Sequence, residues 1–123
     1  FRLVVNESMT DARTAGIDCA AVVDVGRSLP ACTVNTLYDC IFGFLTTTFS
    51  IPGAALMVFV SDAGVGGVEL RTVLDSGLDD RSCALPLVRE MRAVLDSRDV
   101  IYAFDEDDGE LRLTATVGRG EAS

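Results

Sequence analysis

Between Thr33 and Ser50 the apolar residues Val34, Leu37, Tyr38, Ile41, Phe44, Leu45 and Phe49 recur at intervals of three and four. That is the period of an α-helix that buries one side. Pro52-Gly53 then forces a turn. The stretch that follows, Ala55 to Val60, reads Ala-Leu-Met-Val-Phe-Val and is rich in β-branched and aromatic side chains, as a buried strand is. A long amphipathic helix that turns back into such a strand has one simple solution, helices laid on a sheet.

The strand runs on into Ser61-Asp62-Ala63-Gly64-Val65-Gly66-Gly67. A strand can hold a carboxylate rigidly, while glycines supply positive φ and let a ligand come close to the backbone. Asp62, Gly64 and Gly66 are therefore candidate binding residues. The structural alternative is a core strand ending in an ordinary loop.

The rest of the chain supplies the other layers. Phe1 to Val5 is short and apolar and reads as a first strand; Asn6 can cap a helix starting at Glu7, with Met9 and Ala12 inward and Gly16 as its stop. Ile17 to Val25 reads as a strand, and residues 67 to 81 as a mobile loop with at most one helical turn. From Ser82 to Leu95 the spacing of Leu85, Val88, Met91 and Leu95 is helical, with Ser82 as N-cap and Pro86 tolerated in the first turn. Val100 to Phe104 and Leu111 to Val117 alternate across Asp107-Asp108-Gly109, a β-hairpin signature. The expected order is β, α, β, α, β, loop, α, β, β. It gives an α+β two-layer sandwich, with a mixed, mainly antiparallel sheet and about three helices on one face.

Composition removes several kinds of function. At 123 residues the chain is one domain, expected from its start at Phe1 to be part of a longer protein. No apolar run approaches the ~20 residues of a bilayer crossing. A net charge of −9 repels phosphate backbones and anionic lipid surfaces, so neither nucleic acid nor direct membrane contact is expected. Arg89 with Arg92 could form a local anion site, although a solvated helix face is the simpler reading. The chain has no histidine, which excludes Ser-His and Cys-His nucleophilic chemistry as well as histidine general bases. Cys19, Cys32, Cys40 and Cys83 form no Cys-x-x-Cys pair and are expected to be buried thiols in a reducing compartment. The acidic run Asp105 to Glu110 lacks the ligand spacing of a calcium loop and reads as a solvated hairpin tip. Asp79-Asp80-Arg81 reads as a hydrated loop tip, and Asp24 and Asp39 as isolated carboxylates.

The element order, with Asp62-x-Gly64-x-Gly66 closing a central strand, resembles the Bergerat-fold (GHKL) ATPases. Within them the chain is most similar to the C-terminal ATP-binding catalytic domain of bacterial sensor histidine kinases. Ala15-Gly16-Ile17-Asp18 is similar to the strand entry of those domains, Leu37-Tyr38 to the start of their first conserved helix, and Ser-Cys-Ala-Leu-Pro-Leu-Val-Arg-Glu-Met from Ser82 to Met91 to their second glycine motif and its helix. Gly109 with the alternating residues after it is similar to their terminal hairpin.

The resemblance implies that Asp62 accepts a hydrogen bond from adenine, that Gly64 and Gly66 make room for the nucleotide, that Thr47 stands at the magnesium-binding asparagine, and that Ser82 and Ala84 stand at phosphate-cradling glycines. It also implies ATP and Mg2+ as cofactors, a cytoplasmic domain, and two partners: a helical dimerisation and phosphoacceptor domain and a response regulator. The acceptor histidine must then lie outside this chain. The chain departs from the family at Gly43 and Thr47, where a glutamate and an asparagine are expected, at Ser82 and Ala84, and at Glu110. A threonine hydroxyl is a neutral single oxygen and a poor magnesium ligand. The expected function is the ATP-binding catalytic domain of a two-component sensor histidine kinase with a weakened nucleotide site. The alternative is a catalytically dead pseudo-ATPase serving as an interaction module.

Overall fold

A computed structural model describes residues 2–25, 29–51, 53–63, 67–75, 85–98, 100–107 and 109–117. The elements are α1 (Arg2–Thr14), β1 (Asp18–Asp24), α2 (Ala31–Ser50), β2 (Ala55–Asp62), β3 (Val68–Asp75), α3 (Leu85–Ser97), β4 (Ile101–Asp107) and β5 (Glu110–Val117). The strands form one five-stranded sheet in the order β1-β2-β3-β5-β4. Only β1 and β2 are parallel; the other neighbours are antiparallel.

Among the described residues, the helices cover one face of the sheet. On β2, Leu56, Val58 and Val60 are buried while Met57 and Phe59 between them are exposed. On β3 and β5 the same alternation buries Val68, Leu70, Thr72 and Leu74, then Leu111, Leu113, Ala115 and Val117. The helices supply the facing layer. α1 lies on β1, α2 on β2, β3 and β5, and α3 on α2 and β4. Val5, Met9 and Ala12 of α1, Leu37, Ile41 and Phe44 of α2, and Leu87, Met91 and Leu95 of α3 are buried, each set at helical spacing.

Several expectations hold in detail. α2, β2 and the β4–β5 hairpin stand where the sequence puts them, and Pro86 lies in the first turn of α3. Gly109 at the hairpin tip has φ +80°. Gly16 has φ +94° and ends α1; its N–H donates to Arg13 O at 3.0 Å, and the N–H of Ile17 to Ala12 O at 3.0 Å. That pair of bonds is the Schellman stop, which uses the last helical carbonyls.

Four expectations are corrected. Of the residues read as a first strand, Arg2 to Val5 belong to α1, because Val5 is one of its buried positions together with Met9 and Ala12, and a helix leaves Leu3 and Val4 outside; Phe1 lies outside the described residues. Residues 68–75, read as a loop, are β3 at the centre of the sheet. Their pattern is a strict period of two, which buries Thr72 between leucines. Cys32 is exposed, whereas Cys19 and Cys40 are buried as expected; Cys83 lies outside the described residues. Asp39 is not isolated, since it pairs with Arg98.

Candidate functional site

The two ends of the sheet differ in what they gather. α2 ends at Ser50 and β2 starts at Ala55, whose register partner on β3 is Asp75. β3 then leaves toward α3. One end therefore collects the last turns of α2, with Thr47, and the end of β3, and residues 76–84 connect β3 to α3 in sequence. Ser82 and Ala84 lie in that segment, outside the described residues, and so do Asp79-Asp80-Arg81.

Asp62 is at the other end. It pairs with Val68, and the N–H of Ala63 donates to Gly67 O at 3.0 Å, so the glycine-rich turn joins two neighbouring antiparallel strands as a β-hairpin. Gly64 and Gly66 lie outside the described residues. From Ala55 to Asp62 the strand advances about 23 Å at about 3.3 Å per residue. The structure thus brings Thr47 to the approach of α3 and leaves Asp62 a strand length away from it.

A further candidate carboxylate is Asp75. The Asp-x-Gly spelling recurs at Asp75-Ser76-Gly77, directly before the segment that reaches α3. The spelling is visible in the sequence, but only the strand assignment of residues 68–75 places this aspartate at a strand end. Asp75 follows the buried Leu74 and is itself exposed, so strand alternation sets it on the face away from the helices.

The contact between α2 and α3 fixes what the Thr47 end can hold. A Cβ added at Gly43 would lie 2.8 Å from Met91 Cε, 3.5 Å from Met91 Sδ and 3.8 Å from Leu87 Cδ1. Gly43 is therefore a notch into which α3 inserts a methionine. Further toward the start of α2, Arg98 Nη2 pairs with Asp39 Oδ2 at 2.5 Å, and Arg98 Nη1 donates to Thr36 Oγ1 at 3.1 Å. Thr36 in turn donates to Cys32 O at 3.0 Å. The helices run antiparallel, knitted by an arginine at one end and by the methionine one to two turns on. Thr47 is half-buried one turn beyond Gly43, and neighbouring Thr48 is buried with its hydroxyl donating to Phe44 O at 2.8 Å.

Titratable groups elsewhere are tied into structure. Burial pushes the Cys40 thiol up to about 12, the Asp39 carboxylate adding to the rise and Arg98 opposing it. The Cys19 thiol is raised, chiefly by burial and against Arg13. Neither is a thiolate nucleophile near neutral pH. On α3, Arg92 lies 5.2 Å from the Phe104 ring centre and 5.9 Å from that of Tyr102, so it covers aromatic faces of β4. Tyr102 OH donates to Asp96 at 2.7 Å, the bond that chiefly raises its pKa. At the acidic hairpin, Arg112 bridges Asp105 and Glu110.

Of the residues that the resemblance assigns to magnesium and its nucleotide, only Asp62 and those on α2 are among the described ones. The position where a carboxylate would stand on α2 is a glycine filled by Met91, and Thr47 offers one neutral oxygen. Among the described residues no three His, Cys, Asp or Glu side chains come together as a metal cluster.

No family model matches the sequence, and no curated protein matches it. Solved structures do. The chain is similar to the histidine kinase domain of the blue-light activated histidine kinase from Erythrobacter litoralis, with a TM-score of 0.69 at 10% identity over 91% of this chain and 61% of that one. It is similar to the nucleotide-free catalytic domain of histidine kinase ThkA (TM-score 0.56, 10% identity, 94% and 86% covered). It is also similar to the mycobacterial sensor histidine kinase MprB (0.57, 13% identity, 94% and 93%). The chain spans 61% of the first of these and 34% of a longer form of the same blue-light kinase. The chain has the fold of histidine kinase catalytic domains, the α+β Bergerat architecture.

Proposed function

We propose that this chain serves two-component signalling as a domain of the sensor histidine kinase type, with a nucleotide site too weakened to hold Mg-ATP firmly. The observation that carries the reading is the Met91–Gly43 contact. It fills the side of α2 on which the resemblance places a metal-binding carboxylate. Losing charge-assisted contacts of about 1.5–3 kcal/mol each lowers affinity by orders of magnitude. Phosphoryl transfer, if the whole protein performs it, needs an acceptor histidine outside this chain, because the chain has none. Its partners would be a helical dimerisation and phosphoacceptor domain and a response regulator, and its place the cytoplasm.

Isothermal titration with ATP and Mg2+ tests the reading. A dissociation constant of about 1 mM or weaker is expected, corresponding to about −4 kcal/mol. A micromolar constant refutes it. In that event Asp62→Asn and Asp75→Asn locate the adenine contact, since the two carboxylates lie at opposite ends of the sheet. The second reading, a pseudo-ATPase that keeps the fold as an interaction module, is favoured by the same filled notch. It is distinguished by the complete absence of a thermal shift with ATP or ADP.

A further inference from the structure

The face of the sheet turned away from the helices carries an apolar area that no element among the described residues covers. Strand alternation puts Asp18, Ala20, Val22 and Asp24 of β1 on this face, with Ala55, Met57, Phe59 and Ser61 of β2. Val22 is 52% exposed, and Met57 and Phe59 are 38% exposed each. The register sets Val22 beside Phe59, Ala20 beside Met57, and Met57 beside Val73 of β3. These five side chains are thus contiguous. A solvated sheet face is normally polar at its outward positions, and a joined apolar area on it marks an interaction site, unlike apolar residues scattered singly.

The rim has a sign. Asp18 and Asp24 bracket the area at the two ends of β1, both exposed. Among the described residues the guanidinium groups of this face are already used: Arg71 pairs with Glu69 at 2.7 Å, and Arg112 pairs with Asp105 and Glu110. Carboxylates outnumber them on the face, so its field is negative, in keeping with the net charge of −9. A second copy would bring two acidic rims together, which is unfavourable. Three neighbouring strands span about 10 Å, the width of one helix.

We propose that this face docks an amphipathic helix of a partner protein, its apolar side on Val22, Met57 and Phe59 and its flanking lysines or arginines toward Asp18 and Asp24. The site is separate from the α2–α3 contact and holds whether or not the domain binds nucleotide.

The test uses two fluorescein-labelled model helices of about 18 residues, five turns, with leucines at helical spacing and either lysine or glutamate flanks. Fluorescence anisotropy is followed with the full chain. The lysine peptide should bind in the micromolar range, lose about 10-fold or more in affinity to Phe59→Gln, and lose several-fold to the pair Asp18→Asn and Asp24→Asn and to about 0.5 M salt. The glutamate peptide should not bind. Far-UV circular dichroism checks that Phe59→Gln is folded, and Met57→Gln replaces it if it is not. The proposal is overturned if the lysine peptide fails to bind, if both peptides bind equally, or if binding survives the folded variant unchanged. It is also overturned if sedimentation shows a dimer of this chain that the same variant dissociates, because the occupant is then a second copy.

Discussion

Thr72 and Thr48 are both fully buried, and they should respond oppositely to the same substitution. Among the described residues the Thr72 hydroxyl has no hydrogen-bond partner, whereas that of Thr48 donates to Phe44 O at 2.8 Å. Thr72 sits mid-sheet with Val58 and Leu113 as its cross-strand neighbours, so an oxygen there has exchanged water for apolar atoms. An unsatisfied buried polar group costs about 1–3 kcal/mol. Thr72→Val keeps the shape and the β-branching that suit a strand and removes that cost. The lower end applies, because the slightly larger methyl must be accommodated in a packed core. A gain of about 1 kcal/mol is expected. With a urea m-value of about 1.5 kcal/mol/M, the midpoint rises by roughly 0.7 M at unchanged m. Thr48→Val instead deletes a made hydrogen bond in a helix and should be neutral or lose up to about 1 kcal/mol. Urea titration followed by circular dichroism reads both. Destabilisation by Thr72→Val, or equal shifts in the two variants, refutes the reasoning, since either means that the Thr72 hydroxyl has a partner.

Three further perturbations probe the helix layer. Gly43→Glu should destabilise by about 1 kcal/mol, overpacking of about 1–3 kcal/mol being offset in part by better helix propensity. The loss should shrink in a Met91→Ala background, measured as a double-mutant cycle; an unchanged loss means Met91 is not what fills the notch. Arg98→Ala should cost about 0.5–1 kcal/mol in thermal melts, a modest figure because Arg98 and Asp39 are 36% and 48% exposed and water screens the pair. A loss above about 3 kcal/mol would show that the clamp behaves as a buried pair. Among the described cysteines, mild thiol labelling near pH 8 should modify Cys32 and spare Cys19 and Cys40, with the adducts located by peptide mass spectrometry. The Cys40 thiol also makes stability pH-dependent. Its folded pKa is raised from 9.0 to about 12, so its contribution is full below pH 9 and is lost as pH rises toward 12. Cys40→Ala should flatten that alkaline decline, and an unchanged slope rules the thiol out as its source.

The functional reading rests on how α2 meets α3. In the sequence, Gly43 is an absence, a missing carboxylate with no stated consequence. In the structure it is the hole that Met91 occupies, and α3 approaches α2 through it. A side chain at position 43 therefore needs the Met91 methyl to swing aside before it can project from α2.

Local pattern alone determined much of this protein. The threefold and fourfold spacing in α2 and α3, the turn at Gly53, the stop at Gly16 and the Asp-Gly corner before β5 are each readable within one element, because backbone period and positive φ are local properties. Together they gave the α+β layers. Tertiary structure decided the rest. Arg2 to Val5 can be strand or helix, and only burial of Val5 with Met9 and Ala12 under β1 makes them helix. Val68 to Asp75 became the central strand because β2 and the distant β5 both pair with it, as Leu74 does with Leu56 and Leu111. Strand pairing is non-local, so a short mixed segment cannot announce it. That one pairing also decided the site: with β3 in the middle, Asp62 marks a hairpin at one end of the sheet, and the corner facing α3 lies at the other.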